Sequence, residues 1–158
     1  MKTNYALIFF IEILAFISIS FWAAAMEGPI GGIFGQKELY GFNADFYIFF
    51  ITIPLFLLLP LIIKPEVKLF GTLLGGYLIG IALEDFFWFV VNPYYGIQKF
   101  NSHYAVWLTP WMKIGFIEFP FFYIRYILGG ILVLVILAYK SERITRILNK
   151  FFKKLLLK

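Results

Sequence analysis

Cysteine is absent from this sequence. Disulfides, thiolate metal sites and a cysteine nucleophile are therefore excluded. Histidine occurs once, at His103, so a single chain cannot build a multi-histidine metal centre. A neighbouring Ser102 does not make a triad of it, which argues against a serine hydrolase. Charge is scarce as well. Only 15% of the 158 residues are Asp, Glu, Lys or Arg, where a soluble domain carries about 25%. The glycine-rich stretch 26–43 holds Gly35 and Lys37 but no adjacent Gly-Lys-Ser/Thr, and dinucleotide glycine spacing is missing throughout. That stretch reads as a flexible connector. No motif points to a cofactor.

What is present is apolar. Hydrophobic residues make up 62% of the chain and aromatics 22%, with a mean hydropathy of +0.87. An excess of that size has to face lipid. Four stretches are long enough to cross a bilayer, which takes about 20 residues: 4–25, 44–63, 69–91 and 119–139. Strands of that length would leave backbone groups unsatisfied in hydrocarbon, so each reads as a helix. Lys2 and the small residues of 22–26 also fit a cleavable signal peptide, but the long run and Glu12 within it favour a retained helix.

The expected fold is all-α and polytopic, with four transmembrane helices over 1–139 and a basic amphipathic interfacial helix over 140–158. Orientation follows from Lys and Arg near the helix ends. Lys2, Lys64, Lys68 and seven basic residues of the tail fall on one side, against Lys37, Lys99 and Lys113 on the other. The expectation is a multi-pass protein of the cell membrane with both termini cytoplasmic. Most of the net charge of +5 belongs to the tail, so nucleic acid is not an expected partner.

The short turn around Pro65 makes spans two and three antiparallel neighbours, and Pro54 is expected to bend span two. In span three, Gly71, Gly75, Gly76 and Gly80 sit at four-residue spacing and offer a surface for a partner helix. The loop 92–118 is rich in Tyr and Trp, which suit an interfacial anchor or a lid over the outer helix ends. In the tail, Ile144, Ile147, Leu148, Phe151, Phe152, Leu155 and Leu156 repeat at helical spacing. Arg143, Arg146, Lys150, Lys153 and Lys154 lie between them and point to anionic lipid of the cytoplasmic leaflet. A protein-binding helix is the alternative.

Charged groups inside the spans carry the functional signal. Glu84 and Asp85 lie in span three, about 6 Å outward of Gly80, and Arg125 lies in span four, about 6 Å outward of Gly129. An ionised group at a helix centre costs about 2.5–3.5 kcal/mol, so Arg125 is expected to pair with one acid, leaving the second for a proton, cation or cationic headgroup. Glu84 shares the Gly80 and Trp88 face and is the expected Arg125 partner. Asp85, turned by about 100°, is the spare acid. Asp45, Asn92, His103 and Glu118 lie toward the same outer face and are candidate contributors. Glu12 lies nearer the midplane and stands apart.

The string Glu84-Asp85-x-x-Trp88-Phe89-x-x-Asn92-Pro93-x-x-Gly96 resembles a group of small four-span integral membrane proteins of uncharacterised activity. Trp107, Trp111, Pro120 and Tyr123 look like further counterparts, so the similarity covers 82–125. In that pattern the loop His follows a Trp directly, whereas His103 precedes Trp107. The resemblance implies membership and a shared site, and brings no known reaction. Three functional classes stay open: a protein that binds or passes a proton, cation or lipid headgroup; a small membrane enzyme acting on a lipid or lipid-linked substrate; and a structural subunit of a membrane complex.

Overall fold

The computed structural model describes residues 3–27, 38–39, 42–43, 47–139, 142 and 146. It is mostly helical. Helix α1 spans Tyr5–Glu27, an apolar run free of Gly and Pro until its end. Asn4 caps it, its Oδ1 accepting the Leu7 N–H at 3.1 Å and so satisfying one of the otherwise unpaired first-turn donors. Helix α2, Ile53–Ile63, follows directly on a π-helical segment, Tyr47–Thr52. Pro54 lies where the π-helical segment passes into α2. Helix α3 is Val67–Val91, and α4, Phe121–Val133, runs on as a π-helical segment, Leu134–Tyr139.

Two of these helices, over Tyr5–Ala25 and Val67–Val91, are long and apolar enough to cross a membrane. Tyr47–Ile63 and Phe121–Leu137 are apolar but shorter. Among the described residues, strands enter only as two small antiparallel pairs, one of β1, Glu38–Leu39, with β2, Phe42–Asn43, the other of β3, Trp111–Ile114, with β4, Ile117–Pro120. The second takes up the start of the stretch expected to open span four. Gly115 turns it at a positive φ of 63°, a conformation open to glycine at no steric cost.

Helix α3 is the axis of the fold. Its glycines let two helices of the same chain approach, on different sides. Gly76 and Gly80 receive Glu12 and Phe16 of α1, each at a spot that a Cβ would occupy. Further along, Ala24 packs in one cluster with Trp88. The matches advance together, so α1 and α3 run parallel. Gly75 faces Leu134 and Gly130, and Gly130 faces Ile79, while Gly129 lies opposite Leu78. Those matches run in opposite senses, so α4 is antiparallel to α3. Helix α2 joins α3 through the short turn, and Tyr77 donates its hydroxyl to the Phe49 carbonyl.

The burial pattern of α1 is inverted relative to a soluble helix. Glu12, Phe16, Ser20 and Ala24, one every fourth residue, form its buried stripe. Leu7, Phe10, Ile11, Leu14, Phe21 and Trp22 are all at least half exposed. Apart from Phe16, which fits against Gly80, the buried positions are small or polar and the large apolar ones face out, the pattern of close-packed helices in lipid.

The N-terminal ends of α1 and α3, here called the near end, are clamped together. Tyr5 donates its hydroxyl to Glu66, Lys64 donates to the Thr3 hydroxyl, and Lys68 lies 4.6 Å from the Tyr5 ring centroid. Lys64 and Glu66 also form an ion pair at 3.0 Å. The Tyr5 hydrogen bond, and after it the Lys64 one, holds the Glu66 carboxyl below the ordinary carboxylate range. These groups are only partly buried, so the ion pair contributes modestly to stability.

Candidate functional site

The opposite, far end of the bundle gathers the buried polar groups. Glu84, Trp88 and Asn92 follow one another at four-residue steps along α3, and all three are buried. Glu84 continues the line of Gly76 and Gly80, the face that meets α1, and the parallel register sets it level with the buried Ser20. Asp85 is turned from it by about 100°. Of the two carboxylates, Asp85 acts more strongly on the hydroxyl of Tyr123, a buried residue of α4. Both acids act on the Tyr123 hydroxyl.

Three side-chain polar groups here are buried without a hydrogen-bond partner: Trp88 Nε1, Asn92 Nδ2 and Tyr123 Oη. The Tyr123 hydroxyl has the Asp85 carboxylate beside it as an acceptor, at less than ideal geometry. A buried polar group left unsatisfied costs about 1–3 kcal/mol. The Trp88 and Asn92 donors call for acceptor atoms supplied from elsewhere.

Asn92 also ends the helix. Its Oδ1 accepts the Tyr94 and Tyr95 N–H groups at 2.9 and 3.3 Å, and Pro93 prevents the helix from continuing. The chain then folds back over the helix ends. Phe89, with no exposed surface, is the centre of that closure. Its ring lies 4.9 Å from Trp88, 5.2 Å from Phe100 and 6.1 Å from Trp107, the last stacked at 11°. Phe100 in turn reaches Trp111 and Tyr123 at 5.3 and 5.7 Å. Ala105 and Leu108 are buried beneath, and Trp111 donates its indole N–H to the Ala105 carbonyl at 3.1 Å. Tyr94, Tyr104 and Trp107 keep more than half their surface exposed. The loop thus has a packed inner face and an aromatic outer one.

The expected Arg125 partnership is not seen. Arg125 is exposed, its guanidinium 4.9 Å from the Phe121 ring centroid, and it belongs to neither of the ion pairs between described residues, Lys64–Glu66 and Lys113–Glu118. The reason is rotation. Gly130 faces α3; Tyr123, seven residues before it, shares that face, whereas Arg125, five residues before it, is turned from it by about 140°.

The other predicted contributors scatter. His103 is exposed with its ring against Tyr104 at 4.9 Å. Glu118 accepts the Ser102 N–H at 2.9 Å and pairs with Lys113 at 3.8 Å. That backbone hydrogen bond, more than the lysine, holds its carboxyl below the ordinary range. Asp45 lies outside the described residues, as do Arg143, Lys150, Lys153 and Lys154 of the tail. Arg146 is exposed and helical, its Nε donating to the Glu142 carbonyl at 3.4 Å. Among the described residues no three His, Asp or Glu side chains come together to hold a metal.

Sequence reasoning missed the Tyr123 hydroxyl as a site group, and it left Ser20 and Glu12 out. The four-residue spacing of Glu12, Phe16, Ser20 and Ala24 was the available signal for the last two. No family model, curated protein or solved structure matches this chain.

Proposed function

We propose that this chain is a four-span protein of the cell membrane, both termini cytoplasmic, whose far end binds a polar lipid headgroup or small solute. The carboxylates of Glu84 and Asp85 take the proton or cationic part. Trp88, Asn92 and Tyr123 donate to its acceptor oxygens. The observation that carries this reading is a pair of buried donors without an acceptor, Trp88 Nε1 and Asn92 Nδ2, near two carboxylates and the buried Tyr123 hydroxyl, under a closed aromatic loop. The apolar exterior of α1 supports the membrane setting, and the seventeen residues of Tyr47–Ile63 and of Phe121–Leu137 reach the lower limit for a span, about 17. The string that resembles other small membrane proteins, Glu84 to Gly96, is the one that builds this end. Arg125, exposed beside Phe121, is free to meet headgroup phosphate at the rim rather than an acid within. The tail, through Arg143, Arg146, Lys150, Lys153 and Lys154, lies on anionic lipid.

Mass spectrometry of the gently purified full chain tests the reading. A lipid or polar solute should be retained by the wild type. Trp88→Phe and Tyr123→Phe should each weaken retention several-fold, since one hydrogen bond contributes about 0.5–1.5 kcal/mol. Asn92→Asp is the sharper variant. It keeps the acceptor that holds Tyr94 and Tyr95 but removes the Nδ2 donor, so it should lose ligand, and thermal melting of the same variant reads the separate cost of the buried acid it introduces. Equal retention by all four proteins, or no bound species in any, contradicts the proposal.

A further inference from the structure

We propose that Glu12 is a proton-binding site in the seam between α1 and α3, separate from the far-end cluster. Glu12 is only 5% exposed. Neither carboxyl oxygen has a hydrogen-bond partner. The space it fills exists because position 76 lacks a side chain: a Cβ at Gly76 would overlap the carboxyl itself. A polar group is thus held in a socket made of glycine and apolar surface. That arrangement suits a neutral acid and is costly for an ion.

The surroundings decide what occupies it. A metal ion takes several oxygen ligands at about 2.0–2.6 Å. Around Glu12, α3 presents Gly76, and the nearest polar side chains on that helix are already engaged. Thr72 Oγ1 donates to the Lys68 carbonyl at 2.9 Å, and Tyr77 donates to Phe49. Toward the far end the next residue of the α1 stripe is Phe16, whose ring lies 5.9 Å from Tyr77. The charged groups along the seam are distant. Lys68, with Lys64 and Glu66 beside it, lies about 12 Å toward the near end, and Glu84 about 12 Å toward the far end, at 1.5 Å per residue. Among the described residues no cation is close enough to pair with a carboxylate here, and no second side-chain oxygen is placed to share a metal. A proton satisfies the acid by itself. Because α1 meets the rest of the chain mainly along this stripe, protonation of Glu12 permits the close seating of α1 on Gly76 and Gly80.

Infrared spectroscopy of the full chain in lipid reads this directly. At neutral pH the wild type should show a protonated-carboxyl stretch that is lost in Glu12→Gln and retained in Glu84→Gln and Asp85→Asn. Exchanging sodium for potassium at constant pH should leave it unchanged. Gly76→Ala, whose methyl pushes the carboxyl aside, should shift the band without abolishing it, which keeps the test open if Glu12→Gln does not accumulate. Absence of the band in the wild type, its persistence in Glu12→Gln, dependence on the cation, or an unmoved band in Gly76→Ala overturns the proposal. The far-end ligand plays no part in this readout, so the two proposals fail separately.

Discussion

Phe89→Ala should be the most destabilising single substitution at the far end, lowering stability by about 3–5 kcal/mol. Phe89 has no exposed surface and touches rings from α3 itself and from both halves of the loop, Trp88, Tyr95, Phe100 and Trp107. Truncation removes those contacts and leaves a cavity that neighbours fixed to separate elements cannot collapse to fill. Thermal melting in detergent should show a fall of roughly 10 °C, at 2–4 °C per kcal/mol for a chain of this size. Phe116→Ala is the control. It has the same chemistry, but Phe116 is 93% exposed at the hairpin tip, so its change should stay within about 0.5 kcal/mol. Similar falls for the two variants would mean that Phe89 does not organise the loop.

Gly130→Ala should cost about 1–3 kcal/mol, the range for overpacking a close contact, while Gly129→Ala, one residue away, should be neutral or slightly stabilising. At Gly130 a Cβ would lie 2.8 Å from the Gly75 carbonyl oxygen and 2.6 Å from Ile79 Cγ1. The first of these is backbone, which cannot swing aside, so the two helices must separate. At Gly129 the nearest atom is Leu78 Cδ1 at 3.9 Å, an ordinary contact, and alanine gains helix propensity of up to about 1 kcal/mol over glycine. Melting of the two variants side by side separates a helix contact from mere glycine content. Equal effects would contradict the packing of α4 on α3.

Much of this architecture was legible in residue spacing. Runs of apolar residues placed α1 and α3 within a few residues, and the fours of Gly71, Gly75, Gly76 and Gly80 marked close approach. Spacing did not reveal that Gly75 meets one helix and Gly76 and Gly80 another, because that depends on which helix lands on which face. Arg125 shows the same limit more sharply. Equal depth was estimated from the midpoints of two apolar runs, but depth does not say which way a side chain faces, and Arg125 is turned away from the Gly130 face that meets α3. In a helix, two residues turn a side chain from the inside to the outside. Tyr123, not Arg125, is what faces the acids. Glu12 looked isolated for a related reason: no pattern within α1 alone says that its stripe is the one that meets α3.

The central claim is a bundle that crosses a membrane with α1 and α3 running the same way, so that the turn before α3 is cytoplasmic and the far-end loop is outside. The chain has no cysteine, so single cysteines report position without background. Ser102→Cys, in the exposed part of the loop, and Glu66→Cys, in the near-end turn, are to be labelled in intact cells with a membrane-impermeant thiol reagent, then again after permeabilisation. The account predicts labelling at 102 in intact cells and at 66 only after permeabilisation. Labelling at 66 but not at 102 in intact cells, or at both alike, would contradict it.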